Sequence, residues 1–281
     1  MPDSFDLEVN GIRIRAHDWG GKGQPILIVH ATGMLDLLYG PIARALTAIG
    51  HVYSYDQRGH GDSAHPADAI YDWEHQLADL KAITRALDLR ELRAIGHSAG
   101  ATLLATLSAE QPESISGLVM LEPVLVSRPK GVAIETAMVK RTINRRAVFA
   151  DAEAMYANFA GKPPYDTWRP DILRLYCAHG AARNERGEWE LKCRPAIEAS
   201  FYASVGRFHT LERALGCRAR SLVIFGTRGG ASTGAEHAQL VKQSLPAVEI
   251  VELPDYGHLV AMENPDLIAR MAVDFLKSGA N

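Results

Sequence analysis

The stretch LRAIGHSAGATLLATL, residues 92–107, joins an apolar run to a helix-like run of small residues through the turn GHSAG, residues 96–100. A strand, a G-x-S-x-G turn and a helix in this order are typical of a nucleophile elbow. The two glycines let the strand and the helix pack closely around a sharp turn. Ser98 then lies at a helix N-terminus, where the helix dipole and the Ala99 amide favour a developing negative charge. We therefore predict that Ser98 is a nucleophile; the alternative is a serine that only caps the helix.

Short apolar runs and amphipathic helical stretches alternate on both sides of this turn. QPILIVHATG before it and ISGLVMLEP after it are continuous apolar runs, which favour strands buried on both faces. FDLEVNGIRIRAHDWG alternates with period two around Asn10 and Gly11, which predicts a hairpin, and Asp72 is predicted to cap the helix that follows it. Strands that alternate with helices predict an α/β fold with a doubly wound, mostly parallel sheet.

The alternation stops near Pro123 and returns with ARSLVIFG. Between these points, residues 127–216 show no strand-like run and are predicted to form helices and loops. We therefore expect one α/β core, residues 1–126 and 217–281, with a helical cap, residues 127–216, inserted after the sixth strand. The cap holds one dense basic stretch, VKRTINRRAV, which is predicted to be a solvated helix face. Its charged residues are Lys140, Arg141, Arg145 and Arg146.

The composition excludes several classes of partner. A formal net charge of −3 gives no electrostatic reason to expect nucleic acid or an anionic membrane. The three cysteines, Cys177, Cys193 and Cys217, contain no C-x-x-C pair and predict neither a disulfide framework nor a zinc site. The N-terminal stretch has no signal-peptide pattern, and no apolar run approaches the length of a membrane span. We therefore expect a cytoplasmic protein with a small-molecule partner, and homodimer formation stays open.

A serine nucleophile needs a base, because its hydroxyl attacks poorly at neutral pH until an imidazole takes the proton. The stretch PDYGHLVAMENP offers His258, which follows a glycine in the loop after the last strand. A ring in that loop can reach across the edge of the sheet. His97 beside the serine and His60 in the RGHG loop are predicted to be structural instead.

Seven pieces of the chain now stand in a familiar order: LIVHATG, YSYDQRGHGDS, IGHSAG, LVMLEP, the helical insertion, SLVIFG and DYGHLVAMENPD. Over essentially its whole length the chain resembles the α/β-hydrolase family. The resemblance implies an eight-stranded sheet and an oxyanion hole made of two backbone N–H groups. Where members commonly have His-Gly, this chain has His30-Ala31-Thr32-Gly33, which makes the Thr32 amide one donor and the Ala99 amide the other.

The resemblance leaves the triad acid without an obvious residue. Most members carry it in the loop after the seventh strand, which here reads GTRGGAST, and Glu236 in the following helix pattern is the first carboxylate. Glu122 instead ends the sixth strand, where dehalogenases and some lactonases of this fold hold their acid. A carboxylate there is costly to bury alone, and a pair with His258 removes that cost. We therefore predict Glu122 as the acid; the alternative is a glutamate that binds loop amides or an arginine.

A serine at position 98 excludes the branches of the family that use an aspartate nucleophile. No metal or cofactor motif is present, so we expect none. The prediction is a serine hydrolase that cleaves a small-to-medium, largely apolar carboxylic ester or lactone through an acyl-serine. Amide or C–C substrates stay open, as do a non-catalytic ligand receptor and a cofactor-free lyase or perhydrolase. Substrate contacts are predicted for Ala31, His209 and Trp168, although aromatic residues in an insertion more often form its own core.

Overall fold

The computed structural model describes residues 1–126, 128–228, 239–243, 245 and 248–278. Its strands are β1 Asp3–Val9, β2 Ile12–Gly20, β3 Pro25–Val29, β4 His51–Tyr55, β5 Leu92–His97, β6 Ile115–Leu121, β7 Val148–Phe149, β8 Ala181–Arg183, β9 Trp189–Leu191, β10 Arg220–Gly226 and β11 Val248–Leu253. Among these described residues, eight strands form one sheet in the order β1-β2-β4-β3-β5-β6-β10-β11. The strands from β4 to β11 in this order pair in parallel, while β2 pairs antiparallel with both β1 and β4. The predicted mostly parallel sheet is confirmed.

Helices cover both faces of this sheet. The helices of the described residues, including those of the cap, are α1 Gly40–Leu46, α2 Trp73–Ala86, α3 Ala99–Glu110, α4 Arg128–Ile143, α5 Ala152–Phe159, α6 Pro170–His179, α7 Pro195–Tyr202, α8 Val205–Phe208, α9 Thr210–Ala214, α10 239–243, α11 Val260–Glu263 and α12 Pro265–Lys277. Ile26 and Ile28 of β3 join the core that contains α1 and α12. Leu27 and Val29 of the same strand join the core that contains α2 and α3. Because successive side chains of a strand point to opposite faces, a strand buried on both faces is apolar throughout.

The local turn and cap signals also hold in the structure. Val9 pairs with Ile12, so Asn10 and Gly11 form a two-residue hairpin turn, with φ of 50° and 74°. Two positive φ values are what a type I′ turn requires, and Asn-Gly supplies them at low cost. The Asp72 side chain accepts a hydrogen bond from the His75 N–H at the start of α2, as predicted.

The cap differs from its prediction in one respect. It contains α4 to α9, but also a small antiparallel sheet in the order β7-β9-β8. The prediction of helices and loops alone was wrong here because these strands are only two or three residues long. A period-two pattern needs at least four residues to be visible in a sequence.

In the described part of the chain, no helix combines the length and the apolar character that crossing a bilayer requires.

Candidate active site

Ser98 lies in the sharp turn between β5 and α3. Its φ of 53° and ψ of −114° are unusual for a residue with a side chain, and its N–H donates to the Leu121 carbonyl at 2.8 Å. Two close approaches surround it. A Cβ on Gly96 would stand 2.4 Å from the Ala101 Cα, and a Cβ on Gly100 would stand 2.2 Å from the Val29 carbonyl oxygen. Only glycine fits at these two positions, so the residues around Ser98 are fixed by packing.

The structure brings Ser98, His258 and Glu122 into one hydrogen-bonded line. The Ser98 Oγ lies 3.1 Å from His258 Nε2, and His258 Nδ1 lies 3.3 Å from Glu122 Oε2. The Glu122 side chain is 5% exposed, whereas 51% of the His258 side chain is accessible. The chemistry this geometry allows is that of a carboxylate that orients an imidazole, which in turn accepts the serine proton.

Two backbone groups of β10 bind Glu122, one at its main-chain N–H and one at its carboxylate. Its own N–H donates to the Ile224 carbonyl at 2.9 Å, and its φ of 49° turns the chain out of β6. Its Oε1 accepts a hydrogen bond from the Gly226 N–H at the end of β10. With Oε2 on His258, both carboxylate oxygens have partners, so a buried charge is compensated. The alternative in which Glu122 binds only loop amides or an arginine does not describe this arrangement.

His97 connects the histidine loop to the loop after β3. Burial lowers the pKa of His97 to about 3, so its ring is neutral and carries one donor and one acceptor. Its Nε2 donates to the His258 carbonyl at 2.8 Å, which leaves Nδ1 to accept from the Tyr39 hydroxyl at 2.7 Å. The Tyr39 oxygen in turn accepts the Ala31 N–H at 3.2 Å. One buried line of hydrogen bonds therefore fixes both loops that face Ser98.

We call residues 31–33 the oxyanion loop, and the N–H groups of its last two residues differ in whether they have a hydrogen-bond acceptor. Gly33 has a φ of 79°, and its N–H donates to His60 Nε2 at 2.9 Å. Burial lowers the pKa of His60 to about 3, so its ring is neutral, and Nδ1 donates to the Arg58 carbonyl at 3.0 Å, which leaves Nε2 an acceptor. Within the described residues, no acceptor pairs with the N–H of Thr32 or of Ala99. These are the two amides predicted as oxyanion donors, and unpaired N–H groups beside a nucleophile are what that role needs.

The predicted substrate contacts have different surroundings. Ala31 is 3% exposed and belongs to the oxyanion loop. Trp168 is 4% exposed and packs in the cap against the rings of Tyr165 and Tyr176, at centroid distances of 5.0 and 5.7 Å. His209 is half-buried between α8 and α9 with a φ of 56°, and in the described parts of the chain no hydrogen bond or ring contact joins it to the Ser98 line. Glu236 lies outside the described residues.

Arg145 departs from its prediction as part of a solvated helix face. Helix α4 ends at Ile143, so Arg145 lies beyond it and is not governed by helical spacing. Its side chain is 18% exposed and forms an ion pair with Glu198 at 2.5 Å. A partner 53 positions away gives no local signal, which is why the sequence did not reveal it.

Across the residues that the structure describes, no three His, Cys, Asp or Glu side chains are arranged to hold a metal ion.

The sequence and the fold are both similar to those of known proteins. A model of the alpha/beta hydrolase family matches residues 26–271. N-formylmaleamate deformylase from Pseudomonas putida is 26% identical over 277 residues, which cover 96% of this chain and 95% of that protein. 2-(Acetamidomethylene)succinate hydrolase from Mesorhizobium japonicum is 23% identical over 258 residues, which cover 91% of this chain and 89% of that protein. The crystal structure of E-2-(acetamidomethylene)succinate hydrolase matches with a TM-score of 0.85 at 21% identity, over 99% of this chain and 100% of the other.

Proposed function

The chain belongs to the alpha/beta hydrolase family, and from this premise we propose that it is a serine hydrolase that cleaves a small carboxylic ester or lactone through an acyl-serine intermediate. The observation that carries the proposal is the line from Ser98 Oγ through His258 to Glu122, beside two unpaired amides. Together these groups supply a nucleophile, a base, an acid that orients the base, and donors for a developing oxyanion.

In the proposed first half-reaction, His258 Nε2 takes the proton of Ser98 as its Oγ attacks the substrate carbonyl carbon. The carbonyl oxygen becomes an oxyanion that the N–H groups of Thr32 and Ala99 stabilise. When this intermediate collapses, the bond to the leaving oxygen breaks and His258 returns the proton to it. Glu122 keeps Nδ1–H directed at itself throughout, so that Nε2 faces the reacting atoms.

In the second half-reaction, water takes the place of the serine hydroxyl. His258 accepts a proton from the water as its oxygen attacks the acyl-serine, and the same two amides stabilise the second oxyanion. Collapse of this intermediate releases the carboxylic acid and returns the proton to Ser98. For a lactone, the leaving oxygen stays attached to the acyl group, and the product is a hydroxy acid.

A second candidate is the hydrolysis of an amide. It is favoured by the two relatives described above, because N-formylmaleamate and 2-(acetamidomethylene)succinate are amides by name. The same residues serve for it, with one added demand. An amine leaves only when it is protonated, so His258 must deliver its proton before the C–N bond breaks.

Turnover tests the proposal and ranks the two substrate classes. The wild-type protein and a Ser98→Ala variant are assayed with 4-nitrophenyl acetate and butyrate, a panel of lactones and a panel of N-acyl amides. We expect turnover by the wild type alone, together with labelling of Ser98 by a fluorophosphonate. Absence of both turnover and labelling, with tight binding of a small ligand, would favour the receptor alternative and overturn the proposal.

A further inference from the structure

Four polar side chains meet inside the cap without taking part in the mechanism above. Arg145 follows α4, Tyr165 begins the 3₁₀ turn Tyr165–Thr167, Tyr176 belongs to α6 and Glu198 to α7. Arg145 Nη1 donates to Glu198 Oε2 at 2.5 Å, and Nη2 donates to the hydroxyls of Tyr165 and Tyr176, both at 3.2 Å. We call these four residues the cap cluster.

Stability alone does not explain the cap cluster. Its two tyrosine rings pack against Phe159, at centroid distances of 4.4 and 6.1 Å, and Glu198 is only 5% exposed. Burial raises the pKa of the Glu198 carboxyl, although Arg145 acts to lower it. A buried ion pair can often be replaced by apolar residues of similar volume without loss of stability. Buried charge beside a reaction site therefore points to use by a ligand.

The cap cluster adjoins the oxyanion loop directly. The Tyr176 hydroxyl donates to the Gly33 carbonyl at 3.4 Å, while it accepts from Arg145. A Cβ on Gly33 would stand 2.7 Å from Glu198 Oε1, so the carboxylate lies against this glycine. Gly33 comes immediately after Thr32, whose amide is a proposed oxyanion donor. A substrate carbonyl held at Thr32 is thus next to the cap cluster.

Arg145 retains binding capacity. A guanidinium has five N–H donors, and three of those in Arg145 have acceptors within the described parts of the chain. The charge of Arg141 also acts to lower the pKa of Glu198. With 18% of its side chain exposed, Arg145 is not sealed from solvent-sized groups.

We propose that Arg145, with the hydroxyl of Tyr165, binds a carboxylate group carried by the substrate, close to the scissile carbonyl. This inference rests on the proposed function, since it places the carboxylate on the molecule that Ser98 attacks. A planar carboxylate matches guanidinium and phenol donors. Glu198 tunes the site to a single negative charge, because it repels a dianion such as phosphate more strongly.

The test compares two esters that differ only in the carboxylate. They are mono-4-nitrophenyl succinate, which carries one, and methyl 4-nitrophenyl succinate, which is neutral. The measured quantity is the ratio of their kcat/KM values. We expect Glu198→Gln to raise this ratio about fivefold, because the competing anion is gone. We expect Arg145→Gln combined with Glu198→Gln to lower it at least roughly tenfold.

If Arg145 binds the substrate carboxylate, the two variants change the ratio of kcat/KM values in opposite directions. If Arg145 and Glu198 form only a structural ion pair, its loss changes the ratio equally in both variants. The double exchange leaves no unpaired buried charge, and circular dichroism checks that it folds. Arg146→Gln removes an exposed neighbouring charge that stacks on Phe149, and it should leave the ratio within twofold. A shift in the same direction in both variants, or no preference by the wild type, would overturn the inference.

A binding arm keeps this inference distinct from the proposed function. Succinate and glutarate are titrated by calorimetry into Ser98→Ala protein with and without the two cap-cluster exchanges. We expect the highest affinity with Glu198→Gln, an intermediate affinity with the unchanged cap cluster and the lowest affinity with the double exchange. If no ester is hydrolysed, the proposed function fails while this order still decides the subsite. If the neutral ester is hydrolysed but neither acid binds, only the subsite fails.

Discussion

Two polar clusters meet at the oxyanion loop, one from the sheet and one from the cap, and they are held in different ways. Ser98 and Glu122 stand at the ends of neighbouring strands, β5 and β6, and backbone hydrogen bonds fix both of them. The cap cluster comes from separate helices and turns, and side chains alone join it. We therefore expect exchanges in the first cluster to remove chemistry and leave the fold, whereas exchanges in the second alter binding and stability together.

The largest difference between the two clusters is expected at Ser98. Ser98→Ala should lower kcat roughly 10⁴- to 10⁶-fold, because no other group supplies the nucleophile. The melting temperature should stay near that of the wild type, since the backbone around the turn is held by Gly96, Gly100 and the sheet. Steady-state kinetics with 4-nitrophenyl butyrate and a thermal melt measure both quantities. An exchange of the exposed Ser116 to Ala is the control, and activity retained in Ser98→Ala would remove the proposed nucleophile.

The next largest effect is expected at the acid. Glu122→Gln should lower kcat roughly 10²- to 10⁴-fold with little change in KM, because an amide cannot stabilise the charged imidazole. Glu236→Gln is the matched control, since Glu236 is the other carboxylate that the sequence offers, and its kcat should stay near the wild-type value. The assignment of the acid to Glu122 is contradicted if the two variants exchange these outcomes.

Acid should destabilise the fold through three buried histidines. Burial lowers the pKa of His30 to about 4 and that of His60 and His97 to about 3, so the native protein keeps all three neutral where the unfolded chain binds protons. Stability is then lost as the pH falls below the ordinary histidine value. Burial also raises the pKa of Asp56, which acts in the opposite direction. With three histidines against one carboxyl, we expect the free energy of unfolding to fall from pH 7 to pH 5.

Urea denaturation at pH 7, 6 and 5 measures this loss. His97→Gln should reduce the slope of stability against pH by about one proton. A free energy of unfolding that stays constant or rises toward pH 5 would contradict the prediction.

The smallest effect tests the contact between the two clusters. Tyr176→Phe removes the hydroxyl that reaches both Arg145 and Gly33, whereas Tyr165→Phe removes a hydroxyl that reaches Arg145 but not Gly33. The loss of one such bond, about 1 kcal/mol, should lower kcat for a neutral ester about fivefold in Tyr176→Phe. Tyr165→Phe should show a smaller decrease. Equal effects in the two variants would mean that the Gly33 contact has no influence on the oxyanion loop.

The same contrast explains what a sequence can predict here. The elbow is encoded in five consecutive residues, and parallel strands bring their carboxyl ends to one edge, so Ser98 and Glu122 could be placed together from their positions alone. Arg145 could not, because its environment depends on where α4 ends and on a glutamate 53 positions later. Strands β7 to β9 were not predicted for a similar reason. Each has only two or three residues, so it is recognised as a strand by its pairing with another strand and not by its own sequence.

The position of the acid on β6 has a consequence for how such a protein can diversify. With Glu122 there, both proposed oxyanion amides, the nucleophile and the acid all fall within residues 32–122, ahead of the cap in the chain. Of the proposed catalytic groups, His258 alone follows the cap. When recombination exchanges one cap for another, His258 is therefore the single proposed catalytic residue that must be positioned again relative to the others. Chimeras with foreign caps offer a route to new selectivity on an unchanged catalytic segment.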